Sequence, residues 1–174
     1  MIQKRIPVIH TQRLCLHALA EQDADALIAL FKNEAIGKTY MVPELDTREA
    51  ETRLFSALQK LSGAEDRFVY GIYLENALIG FINDVEICES RIELGFVIHP
   101  AHQNKGYASE VLSASMEALF SLGYSVVKTG AFEENAASIR VMEKCGMTRL
   151  DGTDEIEYRG CLHRCVWFEK HRER

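Results

Sequence analysis

Arg13-Leu14-Cys15-Leu16-His17-Ala18-Leu19 alternates along the chain with the period of two that marks a half-buried strand. From about Asp23 the period becomes that of a helix, with Ala24, Leu27, Ile28 and Phe31 on one face and Gly37 beyond its end. Gly37 to Asp46 keeps no period and reads as an irregular loop. Thr47-Arg48-Glu49-Ala50 then offers an N-cap and an acidic first turn, and Ala50, Leu54, Ala57, Leu58 and Leu61 continue at helical spacing. Three strands are predicted next: Phe68 to Glu75, Leu78 to Cys88 joined to it by Asn76-Ala77, and Arg91 to His99, ended by Pro100. A helix from about Lys105 to Leu122 carries an inner stripe of Ala108, Val111, Leu112, Ser115 and Leu119, with Gly123 as C-cap. Ser125 to Phe132 is a further strand, Asn135 to Cys145 a short helix ended by Gly146, and Met147 to Glu169 a hairpin turning near Arg159-Gly160. The order β-α-α-β-β-β-α-β-α-β-β predicts an α/β fold, a mixed and mostly antiparallel sheet with helices on both faces.

Composition narrows the class. With 174 residues, 47% hydrophobic and 26% charged, the expectation is one globular domain spanning 1–174. No repeat, low-complexity tract or Pro/Gly/Ser-rich linker divides it. A net charge of -6 argues against a nucleic-acid binder, which presents a basic face. The apolar runs, such as Gly95-Phe96-Val97-Ile98, are far shorter than the ~20 residues a membrane span requires. Met1-Ile2-Gln3-Lys4-Arg5-Ile6-Pro7 has no apolar core of a secretory leader, so the expected compartment is the cytosol, with no membrane partner. The five cysteines, Cys15, Cys88, Cys145, Cys161 and Cys165, read as small apolar residues of a reducing compartment. Cys161, His163 and Cys165 alternate on one strand face but lack a fourth ligand, so no metal is expected.

The most informative stretch runs from Ile98 to Ala108. A strand leads through His99-Pro100-Ala101-His102 into Gln103-Asn104-Lys105-Gly106-Tyr107-Ala108, where a helix opens. A glycine followed by a small residue lets a phosphate approach free backbone N–H groups, which the helix dipole reinforces. Neither a Walker loop nor a Gly-x-Gly-x-x-Gly fingerprint is present, which disfavours a plain nucleotide-binding domain. Alone, the pattern is equally an ordinary structural turn.

Gln-x-x-Gly-x-Ala after a strand resembles the pyrophosphate-binding motif of the GNAT superfamily of N-acetyltransferases, which use acetyl-CoA. Glu133-Glu134-Asn135-Ala136-Ala137-Ser138-Ile139-Arg140-Val141-Met142-Glu143-Lys144-Cys145-Gly146-Met147 is similar to the second cofactor-contacting motif of that family. Ile92-Glu93-Leu94-Gly95-Phe96-Val97-Ile98 and the opening Thr11-Gln12-Arg13-Leu14-Cys15-Leu16 resemble its RimJ/RimL-type branch, whose members acetylate N-terminal amines of ribosomal proteins. The likeness covers roughly residues 10 to 169, and three motifs stand in the family's order. Leu162-His163-Arg164-Cys165 departs from that branch, where an aspartate is common.

The resemblance implies that acetyl-CoA is the co-substrate, contacted by Phe96, Val97, Ile98, Gln103, Asn104, Lys105, Gly106, Tyr107, Ala108, Asn135 and Ser138. It implies catalytic roles for Glu93 and Ser138, the latter near the sulfur, and places Met142 where many relatives carry a tyrosine acid. A thioether donates no proton. The residues themselves leave alternatives. Glu93 on an apolar strand fits a general base with its pKa raised by burial, beside a Gly95 that would permit a bulge, and equally an ion pair with Arg91 or another cation. Asn135 and Ser138 also suit simple helix capping. His99 and His102 are read as making turn contacts, and Tyr107 as helix packing.

The expected reaction is direct transfer, in a ternary complex, of an acetyl group to a primary amine. A protein N-terminal α-amine is the preferred acceptor; a polyamine, amino acid or aminoglycoside, or a non-catalytic acyl-CoA-sensing role, are the alternatives. The resemblance puts Lys38, Tyr40, Met41, Glu44 and Asp46 along the acceptor slot. The edge of the last hairpin leaves monomer and homodimer both open.

Overall fold

The computed structural model describes residues 5–173; Met1 to Lys4, the start of the segment expected to hold no leader, lies outside them. Nine strands form one sheet: β1 (Val8–His10), β2 (Cys15–His17), β3 (Val69–Leu74), β4 (Ala77–Cys88), β5 (Arg91–Ile98), β6 (Val126–Phe132), β7 (Thr148–Arg149), β8 (Asp154–Tyr158) and β9 (Cys161–His171). They are ordered β1-β2-β3-β4-β5-β6-β9-β7, with β8 also on β9. Every neighbouring pair is antiparallel except β5 and β6. Among the described residues the α-helices are α1 (Ala24–Lys32), α2 (Glu34–Gly37), α3 (Arg48–Gly63), α4 (Tyr107–Ser121) and α5 (Ala136–Lys144). The expected mixed sheet with helices on both faces is what forms.

Alternation along β5 builds the two cores. Ile92, Leu94 and Ile98 point to one face, where Val111, Leu112 and Leu119 of α4 and Met142 of α5 cover them. Val97 points to the other and packs with Leu27, Leu30 and Phe31 of α1 and Phe55 of α3. The helices therefore segregate, with α1 to α3 on one side of the sheet and α4 and α5 on the other.

Local structure follows the chain's own capping signals. Thr47 accepts from the Ala50 amide and starts α3 where the sequence predicts. Asn33 caps the four-residue α2, so Gly37, past the end of α1 as expected, closes an extra turn. α4 begins at Tyr107, two residues after the expected start, because Asn104 and Gly106 hold the left-handed φ values of 59° and 82°. Two further elements differ from expectation. β1 is a three-residue strand with Ile9 alone buried, too short to show a period. The last stretch forms β7 as well as the hairpin, which does turn at Arg159-Gly160. Among the described residues no helix is long and apolar enough to cross a membrane.

Candidate active site

β5 and β6 pair from Arg91↔Val126 to Leu94↔Thr129 and then part, although β5 runs on to Ile98 and β6 to Phe132. The Thr129 hydroxyl donates to the Leu94 carbonyl at 2.9 Å and marks the vertex of the gap. On its other edge β6 pairs with β9 along its whole length, from Val126↔His171 to Phe132↔Cys165, so past the vertex it stays in the sheet through β9 alone. The bulge foreseen at Gly95 lies instead in β4, where Val85 is the extra residue between Asp84 and Glu86. Gly95 serves close approach: a Cβ there would meet Asn83 Oδ1 at 3.3 Å and Tyr40 Cε2 at 3.6 Å.

The gap widens into a cavity of about 570 Å³ between the two parted strands, the turn before α4, the first turn of α4, one side of α5, and α2. Strand alternation decides which amides it receives. The His99 amide donates to the Ile79 carbonyl, so His99, Val97 and Gly95 direct their backbone polar groups to β4. Those of Phe96 and Ile98 face the gap, where β6 no longer pairs with them. Val97 borders the cavity, but its amide belongs to the β4 ladder and not to the gap.

The turn before α4 forms the second wall. Gln103 Nε2 donates to the Ile98 carbonyl at 2.9 Å and fastens the turn to the strand end. Left-handed residues at Asn104 and Gly106 curl the backbone into a concavity of the kind that collects anions. Gln103, Asn104, Gly106, Tyr107 and Ala108 all border the cavity. Lys105 does not; its ammonium donates to the Ala101 carbonyl at 3.2 Å on the exposed side. His99 Nδ1 accepts from the Ala101 amide, the turn contact expected of it. His102 borders the cavity with a buried, unpartnered Nδ1, and burial, then Lys105 and His99, hold its pKa below the ordinary histidine range.

Asn135 and Ser138 stand at the start of α5. Asn135 Oδ1 accepts from the Ser138 amide at 3.2 Å while its Nδ2 donates to Ser138 Oγ at 3.0 Å. The cap and the cavity wall are thus one arrangement, and the Ser138 hydroxyl, accepting from Asn135, keeps its own proton to donate. Met142 is fully buried in the α4 and α5 core.

Glu93 lies one residue before the vertex, on the α1 side of the sheet. Lys128, opposite it on β6, holds its Nζ 3.3 Å from Glu93 Oε2 and rests 3.7 Å from the Trp167 ring centroid. Arg91 is taken by Glu169. Burial pushes the Glu93 carboxyl above the ordinary carboxylate range, Lys128 pulls it back, and Glu86 adds to the rise. Nearby, burial and then the Glu93 and Asp154 charges push the Cys165 thiol up to about 11, too high for a nucleophilic thiolate.

On the side of the site nearest α2, Ala35, Ile36 and Thr39 border the cavity, and no signal in the sequence marks them. Of the five loop residues expected there, Tyr40 borders the cavity and donates to Asn83 Oδ1 at 2.7 Å. Lys38, Met41, Glu44 and Asp46 are exposed. Tyr158, from the far hairpin, donates to the Gly37 carbonyl at 2.9 Å and accepts from the Val42 amide at 3.3 Å, clamping that loop. On β9, His163 stacks on Phe132 with centroids 4.3 Å apart and bonds Glu134 Oε1 at 2.7 Å. A second cavity, about 730 Å³, lies away from this site and holds the Arg67–Asp84 ion pair.

Comparison with known proteins gives a consistent picture. The family model of the acetyltransferase (GNAT) domain matches residues 13–148. The uncharacterized N-acetyltransferase YoaA of Bacillus subtilis strain 168 is 30% identical over 148 residues, covering 82% of this chain and 84% of that protein. YnaD of the same strain, also an uncharacterized N-acetyltransferase, is 32% identical over 143 residues, covering 81% of this chain and 82% of its own. Among solved structures, a GNAT-family acetyltransferase from Bacillus anthracis superposes with TM-score 0.81 at 25% identity, over 94% of this chain and 98% of that one. A RimL ribosomal alpha-N-protein acetyltransferase in complex with coenzyme A superposes with TM-score 0.80 at 21% identity, over 94% and 97%. A spermidine N-acetyltransferase from Vibrio cholerae, in complex with CoA and spermine, does so with TM-score 0.78 at 20% identity, over 91% and 95%.

Proposed function

The chain belongs to the GNAT family of N-acetyltransferases, and from that premise we propose that it transfers the acetyl group of acetyl-CoA directly to a protein N-terminal α-amine. The observation that carries the acceptor assignment is the Glu93–Lys128 pair at the vertex of the parted strands.

A cation 3.3 Å from the base disfavours a polycationic acceptor, whose further charges would meet Lys128. It also favours the neutral form of any amine brought beside it. Because Lys128 opposes the rise in the Glu93 pKa, Glu93 is a modest base. Such a base suits an α-amine, with pKa near 8, better than a lysine or polyamine amine near 10.4. The RimL and spermidine N-acetyltransferase neighbours represent these two acceptor classes.

The donor fits the cavity by the chemistry of its walls. The Gln103–Gly106 turn suits the diphosphate, and the Phe96 and Ile98 edge suits the amide-bearing pantetheine arm as a further strand would. The donor supplies the activated thioester. Glu93, through one water, takes the proton that the acceptor nitrogen loses as its bond to the acetyl carbon forms. The Phe96 amide, first past the vertex, faces the developing charge on the acetyl oxygen. As the carbon–sulfur bond breaks, Ser138 gives its proton to the sulfur and recovers one from solvent. The high pKa of Cys165 supports transfer without an acyl-cysteine.

The test follows CoA thiol release against N-terminal peptides, polyamines and amino acids, with acetyl-CoA binding measured by calorimetry. Release with peptides alone, and a loss of about a hundredfold in Glu93→Gln with CoA binding retained, is the expected result. Release with polyamines alone overturns the acceptor, and binding without release to any acceptor favours an acyl-CoA sensor.

A further inference from the structure

We infer that Arg13, on the turn between β1 and β2, is a positioning residue for the donor's diphosphate and acts from behind the Gln103–Gly106 turn. The inference rests on the acetyl-CoA reading above and extends it to a residue outside the cavity.

The geometry is a three-way grip. Arg13 Nη1 donates to the Lys105 carbonyl at 2.9 Å. Its Nε donates to Glu110 Oε2 at 2.8 Å, and the guanidinium lies over the Tyr107 ring, 4.5 Å from the centroid. Glu110 is itself fixed from the same turn, accepting from the Arg13 amide at 2.7 Å and the Thr11 hydroxyl at 2.5 Å. Arg13 therefore holds the carbonyl before Gly106, the ring after it and the carboxylate one helical turn on.

A trans peptide points its carbonyl and its N–H in opposite directions. With the Lys105 carbonyl held by Arg13, which does not border the cavity, the Gly106 N–H turns toward the cavity that Gly106 does border. Gly106 sits at φ 82°, where most residues are strained and where glycine is permissive in both directions. A glycine this free needs an outside restraint to keep one orientation, and Arg13 supplies it. An Arg13 Nη2 3.3 Å from the position of a Gly106 Cβ leaves that restraint little slack.

Charge is a secondary matter here. Glu110 neutralises Arg13 within 2.8 Å, so the net field at the diphosphate from the pair is small. What Arg13 contributes is orientation of backbone donors before the anion arrives, which shows in affinity for the diphosphate-bearing donor.

The experiment compares two acetyl donors with the full chain and one acceptor: acetyl-CoA, and S-acetylpantetheine, which carries the same thioester without the diphosphate. Arg13→Met is expected to raise KM for acetyl-CoA about tenfold with kcat within about twofold, and to leave kcat/KM for S-acetylpantetheine within about twofold. Arg13→Lys, which keeps the charge but not the planar fork, is expected to fall between. It replaces Arg13→Met as the deciding variant if melting shows that the latter does not fold. Equal losses with both donors would make Arg13 a general structural residue, and no loss with either would give it no role; each outcome overturns the inference. A wild-type chain that binds no acetyl-CoA would overturn the donor reading itself, a result visible before any variant is made.

Discussion

The Lys128 ammonium lies 3.3 Å from Glu93 Oε2 and at the same time over the Trp167 ring, so the cation beside the proposed base is held from both sides. Lys128 lowers the Glu93 pKa against a larger rise from burial. Removing the ammonium in Lys128→Met leaves the burial effect unopposed and raises that pKa further. A base works only when deprotonated, so the acid limb of the kcat/KM profile moves to higher pH in the variant. A profile that stays in place would separate Glu93 from the rate-limiting proton transfer.

The same pair bears on stability, with the opposite pH sense from a salt-bridged carboxylate. A carboxyl whose folded pKa lies above its unfolded value near 4.3 favours the fold when protonated, and that contribution fades as pH rises through the folded value. Lys128→Met widens the difference. Its melting temperature is therefore expected to drop more at pH 8 than at pH 5, each relative to the wild-type chain, as scanning calorimetry would show.

Ser138 Oγ accepts from Asn135 Nδ2 at 3.0 Å, which leaves its proton available for the proposed donation to sulfur. A thiolate with pKa near 8.5 already leaves readily, so Ser138→Ala is expected to lower kcat by only about tenfold, at the weak end of general acid catalysis. Asn135→Ala removes both the cap and the orientation of Ser138. It is expected to match that loss in kcat and to cost about 1 kcal/mol of stability besides. Urea unfolding together with steady-state kinetics separates the two effects; a Ser138→Ala rate equal to wild type would remove the general acid.

What could be read in the chain was what sits close together in it. The Gln103 to Ala108 turn, the Asn135 cap and the alternation of β5 are local patterns, and each stands where its residues predict. Partners created by the crossover were invisible. Lys128 meets Glu93 only because α4 returns the chain to run parallel to β5, and Arg13 reaches Lys105 across 92 residues. Glycine at 95 signals a bulge there, yet the bulge forms at Val85 of the neighbouring strand, a residue with no turn chemistry. Strand membership groups Val97 with Phe96 and Ile98, whereas the side to which each amide points depends on the pairing partner.

Tyr158 joins the β8–β9 hairpin to the loop after α2, donating to the Gly37 carbonyl and accepting from the Val42 amide. That loop carries Tyr40, whose hydroxyl reaches Asn83 beside the cavity, so the clamp shapes the end of the site opposite the Gln103–Gly106 turn. Tyr158→Phe keeps the ring and its packing near Phe132, 6.1 Å between centroids, and deletes only the hydroxyl. Losing two hydrogen bonds at about 1 kcal/mol each, partly recovered by water, loosens the loop without unfolding it. The expected result is an acceptor KM raised about fivefold with the acetyl-CoA KM unchanged. A shift in the acetyl-CoA KM instead would mean that the hairpin supports the donor side, and the loop would lose its assignment to the acceptor.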